Sequence, residues 1–133
     1  MSLNTLLIDD DELTLFLNQV FIKENHFSED IAVFSNAKEA LKFLDNGPER
    51  ATSSCIILDL NMPNYNGWDF LDDIQSREYK NHVKVVVLTS SVNNSDKEKA
   101  AKYAQVISFL EKPLNDEKIN QLKEIAPLSP YFS

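Results

Sequence analysis

The stretch Cys55–Gly67, C-I-I-L-D-L-N-M-P-N-Y-N-G, decides how the rest of the chain is read. Cys55, Ile56, Ile57 and Leu58 form an unbroken apolar run, the pattern of a short strand buried on both faces. Asp59 closes the run, and Pro63, Asn64, Asn66 and Gly67 then break the chain into a turn. A carboxylate at the carboxyl end of a buried strand stands where open α/β sheets hold their ligands. On this stretch alone, a loop-capping Asp59 and a reactive one are equally good readings.

The same pattern repeats on both sides. Residues 3–8 read as a first strand ending in Asp9, Asp10 and Asp11, and residues 31–34 as a second. Residues 83–88 read as a fourth strand followed by Thr89-Ser90-Ser91, and residues 107–110 as a fifth followed by Lys112-Pro113. Helical patterns lie between them. The first is expected to bury Leu13, Phe16, Leu17, Val20 and Phe21, at the spacing of one helix face. The second buries Ala37, Ala40, Leu41 and Leu44 after an Asn36/Glu39 capping box and stops at Asn46-Gly47-Pro48. Trp68, Phe70, Leu71 and Ile74 mark the third. Ser95 and Glu98 predict a capping box for the fourth, running to about Tyr103. Asn115 predicts the cap of the fifth, with Leu114 and Ile119 as a hydrophobic staple. The last helix fades near Ile125, and an irregular tail over residues 126–133 is expected after a domain spanning residues 1–125.

Five strands alternating with five helices imply right-handed crossovers and a parallel sheet covered on both faces. In such a sheet all strand ends share one edge. Asp9, Asp10, Asp59, Thr89 and Lys112 therefore belong to one pocket with three carboxylates, a hydroxyl and an ammonium.

Composition narrows the function classes. A chain of 133 residues suits one domain, and 13 basic against 21 acidic residues give a net charge of -8. That charge argues against unaided binding to nucleic acid or to an anionic membrane. No apolar run approaches the roughly 20 residues of a membrane span, and the N-terminus has no secretory pattern. Cys55 is the only cysteine, which excludes an intrachain disulfide and suggests an inert core thiol. A cytoplasmic protein is expected. Asp11 and Glu12 read as helix-start acids favoured by the macrodipole, and His26 and His82 as isolated loop residues.

The acid pair Asp9-Asp10, the D-L-N-M-P-N-Y-N-G that starts at Asp59, the L-T-S at Leu88 and the K-P at Lys112 together resemble the receiver domains of two-component response regulators. The resemblance covers residues 4–125. It implies a CheY-like, flavodoxin-like (βα)5 fold with strand order 2-1-3-4-5. It implies that Asp59 is the phosphoacceptor, and that Asp10, Asp59 and the backbone carbonyl of Asn61 bind Mg2+ (or Mn2+) with Asp9 in support. Lys112 is then the cation that pairs with Asp59 at rest and with a phosphoryl oxygen afterwards. Thr89 is the hydroxyl that moves to the phosphoryl group, and Phe109 the aromatic that turns inward with it. The implied partners are a sensor histidine kinase or histidine phosphotransfer protein and a downstream protein that the sequence does not identify.

The chemistry needs those residue types. Clustered carboxylates repel unless a cation intervenes, and a hard divalent ion that takes oxygen ligands suits them. Phosphoryl transfer is mostly positioning and neutralisation of the equatorial oxygens.

Two positions depart from the family pattern. Gln105 stands where a Gly usually ends the fourth helix, at a cost of about 1 kcal/mol if its backbone must be left-handed. Phe109 stands where Tyr is common and lacks the hydroxyl. The sequence predicts a stand-alone receiver with no output domain after Ile125. A monomer is expected, with phosphorylation-dependent dimers an open alternative, and no turnover of an external substrate. One rival is a haloacid-dehalogenase-type phosphatase, which would want an acid where Asn61 stands. Another is a receiver-like interaction module that is not phosphorylated, which would commonly lack part of the pocket set.

Overall fold

The sheet has the expected alternation and order. The structure is a computed structural model that describes residues 3–132. Met1, Ser2 and Ser133, which the expected boundaries take in, lie outside the described residues. Five strands are present: β1 (Asn4–Ile8), β2 (Asp30–Phe34), β3 (Ser54–Leu58), β4 (Lys84–Thr89) and β5 (Val106–Glu111). They alternate with helices α1 (Glu12–Glu24), α2 (Ala37–Asp45), α3 (Gly67–Ile74), α4 (Asn94–Ala101) and α5 (Asp116–Glu124). All neighbouring strands pair in parallel, in the order β2-β1-β3-β4-β5.

Alternate residues of each central strand feed two separate cores, as the period of two in a pleated strand requires. Leu6, Ile8, Ile56, Leu58, Val85 and Val87 pack with α2 and α3. Leu7, Cys55, Ile57, Val86 and Leu88 pack on the other face with α1 and α5. All five residues of β3 are buried, which is why its sequence reads as a continuous apolar run. Burial pushes the Cys55 thiol up to about 12, so it is no nucleophile at neutral pH.

Helix α2 buries the four residues expected of it, Ala37, Ala40, Leu41 and Leu44. Helix α1 does not follow its expectation. Leu13, Phe16 and Leu17 are exposed, and the buried residues are Leu15, Asn18 and Ile22, with Phe21 half-buried at the margin. The sequence carries two apolar stripes, and at 3.6 residues per turn they lie on roughly opposite sides of the helix. Its start fixes which one faces the sheet: Asp11 caps the helix through Leu13 N–H, and the Asp11 N–H donates to Asp9 Oδ1 at 2.9 Å.

Helix α4 is also displaced from expectation. Its cap is Asn93, whose side chain accepts from Asp96 N–H at 2.7 Å, and the helix ends at Ala101. In the polar run N-N-S-D-K-E, two overlapping cap-and-acid pairs compete. The helix buries only Ala100, so packing adds little to the choice.

Gln105 avoids the strain anticipated for it. Positive φ among the described residues is confined to His26 and Asn64. Gln105 is instead buried, and its Oε1 accepts from Gln75 Nε2 at 2.8 Å while its carbonyl accepts from Val85 N–H. A side chain that glycine would lack thereby ties the start of β5 to the end of α3. Nearby, Trp68 of α3 lies 6.2 Å from the Tyr103 ring, and the Lys99 ammonium sits 4.3 Å over the indole.

Beyond α5 the chain was expected to be irregular. It forms a short 3-10 helix, Ser129–Tyr131, with Leu128 fully buried and the Phe132 ring 5.3 Å from Phe27. These apolar side chains close the edge of the sheet opposite the carboxylates.

Candidate functional site

The carboxyl ends of β1, β3, β4 and β5 bring the predicted polar residues together. β1 and β3 are in register, Ile8 beside Leu58, so Asp9 and Asp59 leave the sheet side by side. Asp59 N–H donates to the Ile8 carbonyl at 3.0 Å, and Asp9 N–H to the Phe34 carbonyl at 3.2 Å. Both side chains are buried, whereas Asp10 is exposed at the rim. One oxygen from each of Asp9, Asp10 and Asp59 fits within a 4.8 Å cluster.

Lys112 enters from β5 across β4, its N–H donating to the Thr89 carbonyl at 2.8 Å. Its peptide bond to Pro113 is cis. The ammonium is 2.7 Å from Asp9 Oδ2 and 3.6 Å from Asp59 Oδ1. The resemblance pairs Lys112 with Asp59, but the closer partner is Asp9. Burial alone would lower the Lys112 pKa. The hydrogen bond to Asp9 and the charges of Asp59 and Asp9 outweigh it, and the net shift is upward.

Asp59 is pushed the other way for a carboxyl group, up to about 6. Burial is the largest cause and the charge of Asp9 adds to it, while Lys112 and the Asn61 N–H oppose them. A buried carboxylate held between two acids and one ammonium is a group whose charge is poorly compensated. A hard divalent cation fits that need, and the donors present are all oxygens at a mutual spacing that one ion can bridge. The residues that would hold it are Asp9, Asp10 and Asp59, with the Asn61 carbonyl at the start of the loop.

Gly67 earns its place here by close approach. Its N–H donates to the Leu60 carbonyl at 3.1 Å, and a Cβ at this position would lie 2.6 Å from the Asp59 carbonyl oxygen. Any side chain would push the phosphoacceptor candidate's own backbone. The sequence marks Gly67 only as a turn former.

Thr89 is fully buried. Its Oγ1 accepts from Asn61 Nδ2 at 3.3 Å and from Ser91 N–H at 3.5 Å. The Asn61 N–H also donates to Asp59 Oδ1 at 3.4 Å. The sequence pointed to the Asn61 carbonyl; the side-chain link to Thr89 carried no signal, because it joins a loop residue after β3 to the end of β4. Phe109 pairs with Val87 across β4 and β5 and is half-buried against the α2/α3 core. Asp11 caps α1 and also accepts from the Thr14 hydroxyl, while His26 lies in a turn with φ 53°.

The family model of the response regulator receiver domain matches residues 5–124, nearly the whole chain. The chain belongs to the response regulator receiver domain family. A probable methanogenesis regulatory protein, FilR2, of Methanothrix harundinacea is 30% identical over 122 residues, covering 90% of this receiver and 77% of that protein. The crystal structure of a two-component response regulator from Cytophaga hutchinsonii is 32% identical, with TM-score 0.82, over 91% of this chain and 93% of that one. Chemotaxis protein CheY4 of Vibrio cholerae, at 18% identity and TM-score 0.77 over 92% and 96% of the two chains, shares the fold. This receiver is thus an α/β signalling module of CheY-like topology from the two-component class. Such domains typically bind Mg2+ through an acidic cluster of the kind formed by Asp9, Asp10 and Asp59. Among the described residues no helix is long and apolar enough to cross a membrane.

Proposed function

We propose that Asp59 accepts a phosphoryl group from the phosphohistidine of a sensor histidine kinase or histidine phosphotransfer protein, and that the acyl phosphate switches binding of a downstream protein. The observation that carries this reading is the placement of Asp59: buried, beside two further carboxylates, and 3.6 Å from the Lys112 ammonium. A carboxylate oxygen of Asp59 attacks phosphorus, the P–N bond to the donor imidazole breaks, and the imidazole leaves with the bonding pair. Lys112 offsets charge on the phosphoryl oxygens, and Asp59 must be ionised to attack. Mg2+ or Mn2+, when bound, supplies Lewis-acid neutralisation of the same oxygens. Thr89 then donates to a phosphoryl oxygen, and repacking around Phe109 alters the surface near α4, β5 and α5.

The donor must cover the rim where α1 begins. Leu13, Phe16 and Leu17 of α1 and Val33 of β2 are large apolar side chains exposed there, 65%, 62%, 45% and 41% respectively. Apolar side chains held out of the core are a cost unless a partner covers them. They support a docking face for the donor on α1, the helix that starts three residues after Asp9. The protein would act in the cytoplasm, with which the single unpaired Cys55 agrees.

Incubation with acetyl phosphate and Mg2+ followed by intact-mass measurement tests the reading. Wild type gains one phosphoryl group and Asp59→Asn gains none. A full-stoichiometry adduct on Asp59→Asn removes the assignment.

A further inference from the structure

We propose that the Asn61 carboxamide is a positioning group for the Thr89 hydroxyl, turning its proton toward the place where the phosphoryl oxygens form; this rests on the phosphoacceptor reading of Asp59. A hydroxyl has two acceptor lone pairs and one proton. Both groups that approach Thr89 Oγ1 are donors, Asn61 Nδ2 at 3.3 Å and Ser91 N–H at 3.5 Å. With both lone pairs facing N–H groups, the proton is the remaining hydrogen-bonding capacity and must point away from the two donors. Thr89 has no exposed surface, so bulk water does not take it.

The same residue reaches the phosphoacceptor. The Asn61 N–H donates to Asp59 Oδ1 at 3.4 Å while its side chain holds Thr89, so one residue spans both groups. The Lys112 N–H fixes the Thr89 backbone from the other side at 2.8 Å. At 3.3, 3.4 and 3.5 Å these contacts lie just beyond the usual N–H···O range, which ends at about 3.2 Å, and each is weak. Their effect is therefore on direction more than on strength: the donor to a phosphoryl oxygen is oriented before that oxygen arrives, with no rotor search afterwards.

Asn61 is exposed, so its substitution leaves the core packing intact. Asn61→Leu removes the donor at similar volume. Asn61→Asp replaces the donor with an acceptor that attracts the Thr89 proton toward residue 61. Each is made in wild-type and Thr89→Ala backgrounds and titrated with beryllium fluoride and Mg2+, followed by amide NMR. Two quantities are read: the concentration at half-saturation, which reports binding at Asp59, and the limiting shift at the Phe109 amide, which reports switching. The expected result is a switched-to-unswitched ratio about three- to tenfold lower in Asn61→Leu, the range of one weak hydrogen bond. Asn61→Asp loses more, and neither substitution changes the limiting shift once Thr89 is Ala. Added charge at residue 61 moves half-saturation in both backgrounds and leaves this difference intact.

An unchanged limiting shift in Asn61→Asp overturns the proposal. So does an equal loss in both backgrounds, because the coupling between the two residues is then zero. A wild type that binds no beryllium fluoride at Asp59 removes the phosphoacceptor reading and this inference together. A wild type that responds, with Asn61 variants that respond identically, removes this inference alone.

Discussion

Helices α1 and α2 lie on opposite faces of one sheet and both carry an apolar stripe with helical spacing, yet only α2 buries the stripe its sequence displays. α2 has one face to offer: Ala37, Ala40, Leu41 and Leu44 are inside, and Lys38, Glu39, Lys42 and Asp45 are outside. α1 has two. It buries Leu15, Asn18 and Ile22 and turns Leu13, Phe16 and Leu17 to the surface. Periodicity gives the spacing of a stripe but not the rotation of the helix about its axis when two stripes compete. Capping and the exit of the preceding strand fix that rotation, and in α1 both are governed by Asp9 and Asp11.

The largest effects should come from the buried stripes. Leu44→Ala in α2 and Ile22→Ala in α1, both with no exposed surface, should each lose about 2–5 kcal/mol in urea unfolding. Leu13→Ala should stay within about 0.5 kcal/mol of wild type. If Leu13→Ala cost as much as Ile22→Ala, the rotation assigned to α1 would be wrong.

The next effect separates the helix starts. α1 grows out of a carboxylate cluster and α2 from the neutral cap Asn36, so the cluster beside the α1 start, and not the α2 start, should make stability fall as pH rises. The folded state holds the Asp59 proton more tightly than the unfolded chain does, since its pKa rises from 3.8 to about 6. Ionisation therefore costs the fold. Stability from this group is highest below pH 3.8, falls as pH rises through the window to about 6, and is then level. Asp59→Asn should remove that fall and gain on the order of 1–3 kcal/mol at pH 7 without metal. Mg2+ should raise the melting temperature of wild type and narrow the gap to Asp59→Asn, and Asp10→Ala should weaken the Mg2+ response. Thermal melts between pH 4 and 8, with and without Mg2+, check each part. A wild type whose stability does not fall between pH 4 and 6 would contradict the electrostatics of the site.

The smallest effect on stability should be the most selective for signalling. Phe16→Ser should change unfolding by less than about 0.5 kcal/mol. It should slow phosphotransfer from a phosphohistidine protein about tenfold, the loss expected of an aromatic anchor at an interface. Labelling by acetyl phosphate, which needs no docking face, should be unaffected. Equal slowing with both donors would place Phe16 in the chemistry instead of the docking face.

Legibility in the sequence followed the range of the interactions. Strands β3 and β4 were readable because burial on both faces leaves a continuous apolar run, and strand order followed from the family resemblance. Asp9, Asp59, Thr89 and Lys112 were readable as a group because a parallel sheet puts every strand's carboxyl end on one edge. The Asn61–Thr89 and Gln75–Gln105 bonds were not readable, since each joins polar side chains 28 and 30 residues apart with no local pattern. The cap of α4 was misplaced by two residues, from Asn93 to Ser95, because neighbouring polar residues offered two equivalent starts. Gly67 was readable as a turn but not as a contact, because the Asp59 carbonyl that excludes its side chain comes from eight residues earlier.

Trp68 is the only tryptophan in the chain, and it sits where α3 meets the end of α4, beside the Tyr103 ring and under the Lys99 ammonium. Its emission therefore arises from a single, identified environment. Both neighbours belong to the segment that leads into β5, so a change in that segment alters the polarity and the field at the indole. The protein thus carries its own optical probe between α3 and the segment entering β5, and if Asp59 is phosphorylated as proposed, a rearrangement of that segment can be followed through the indole without a dye.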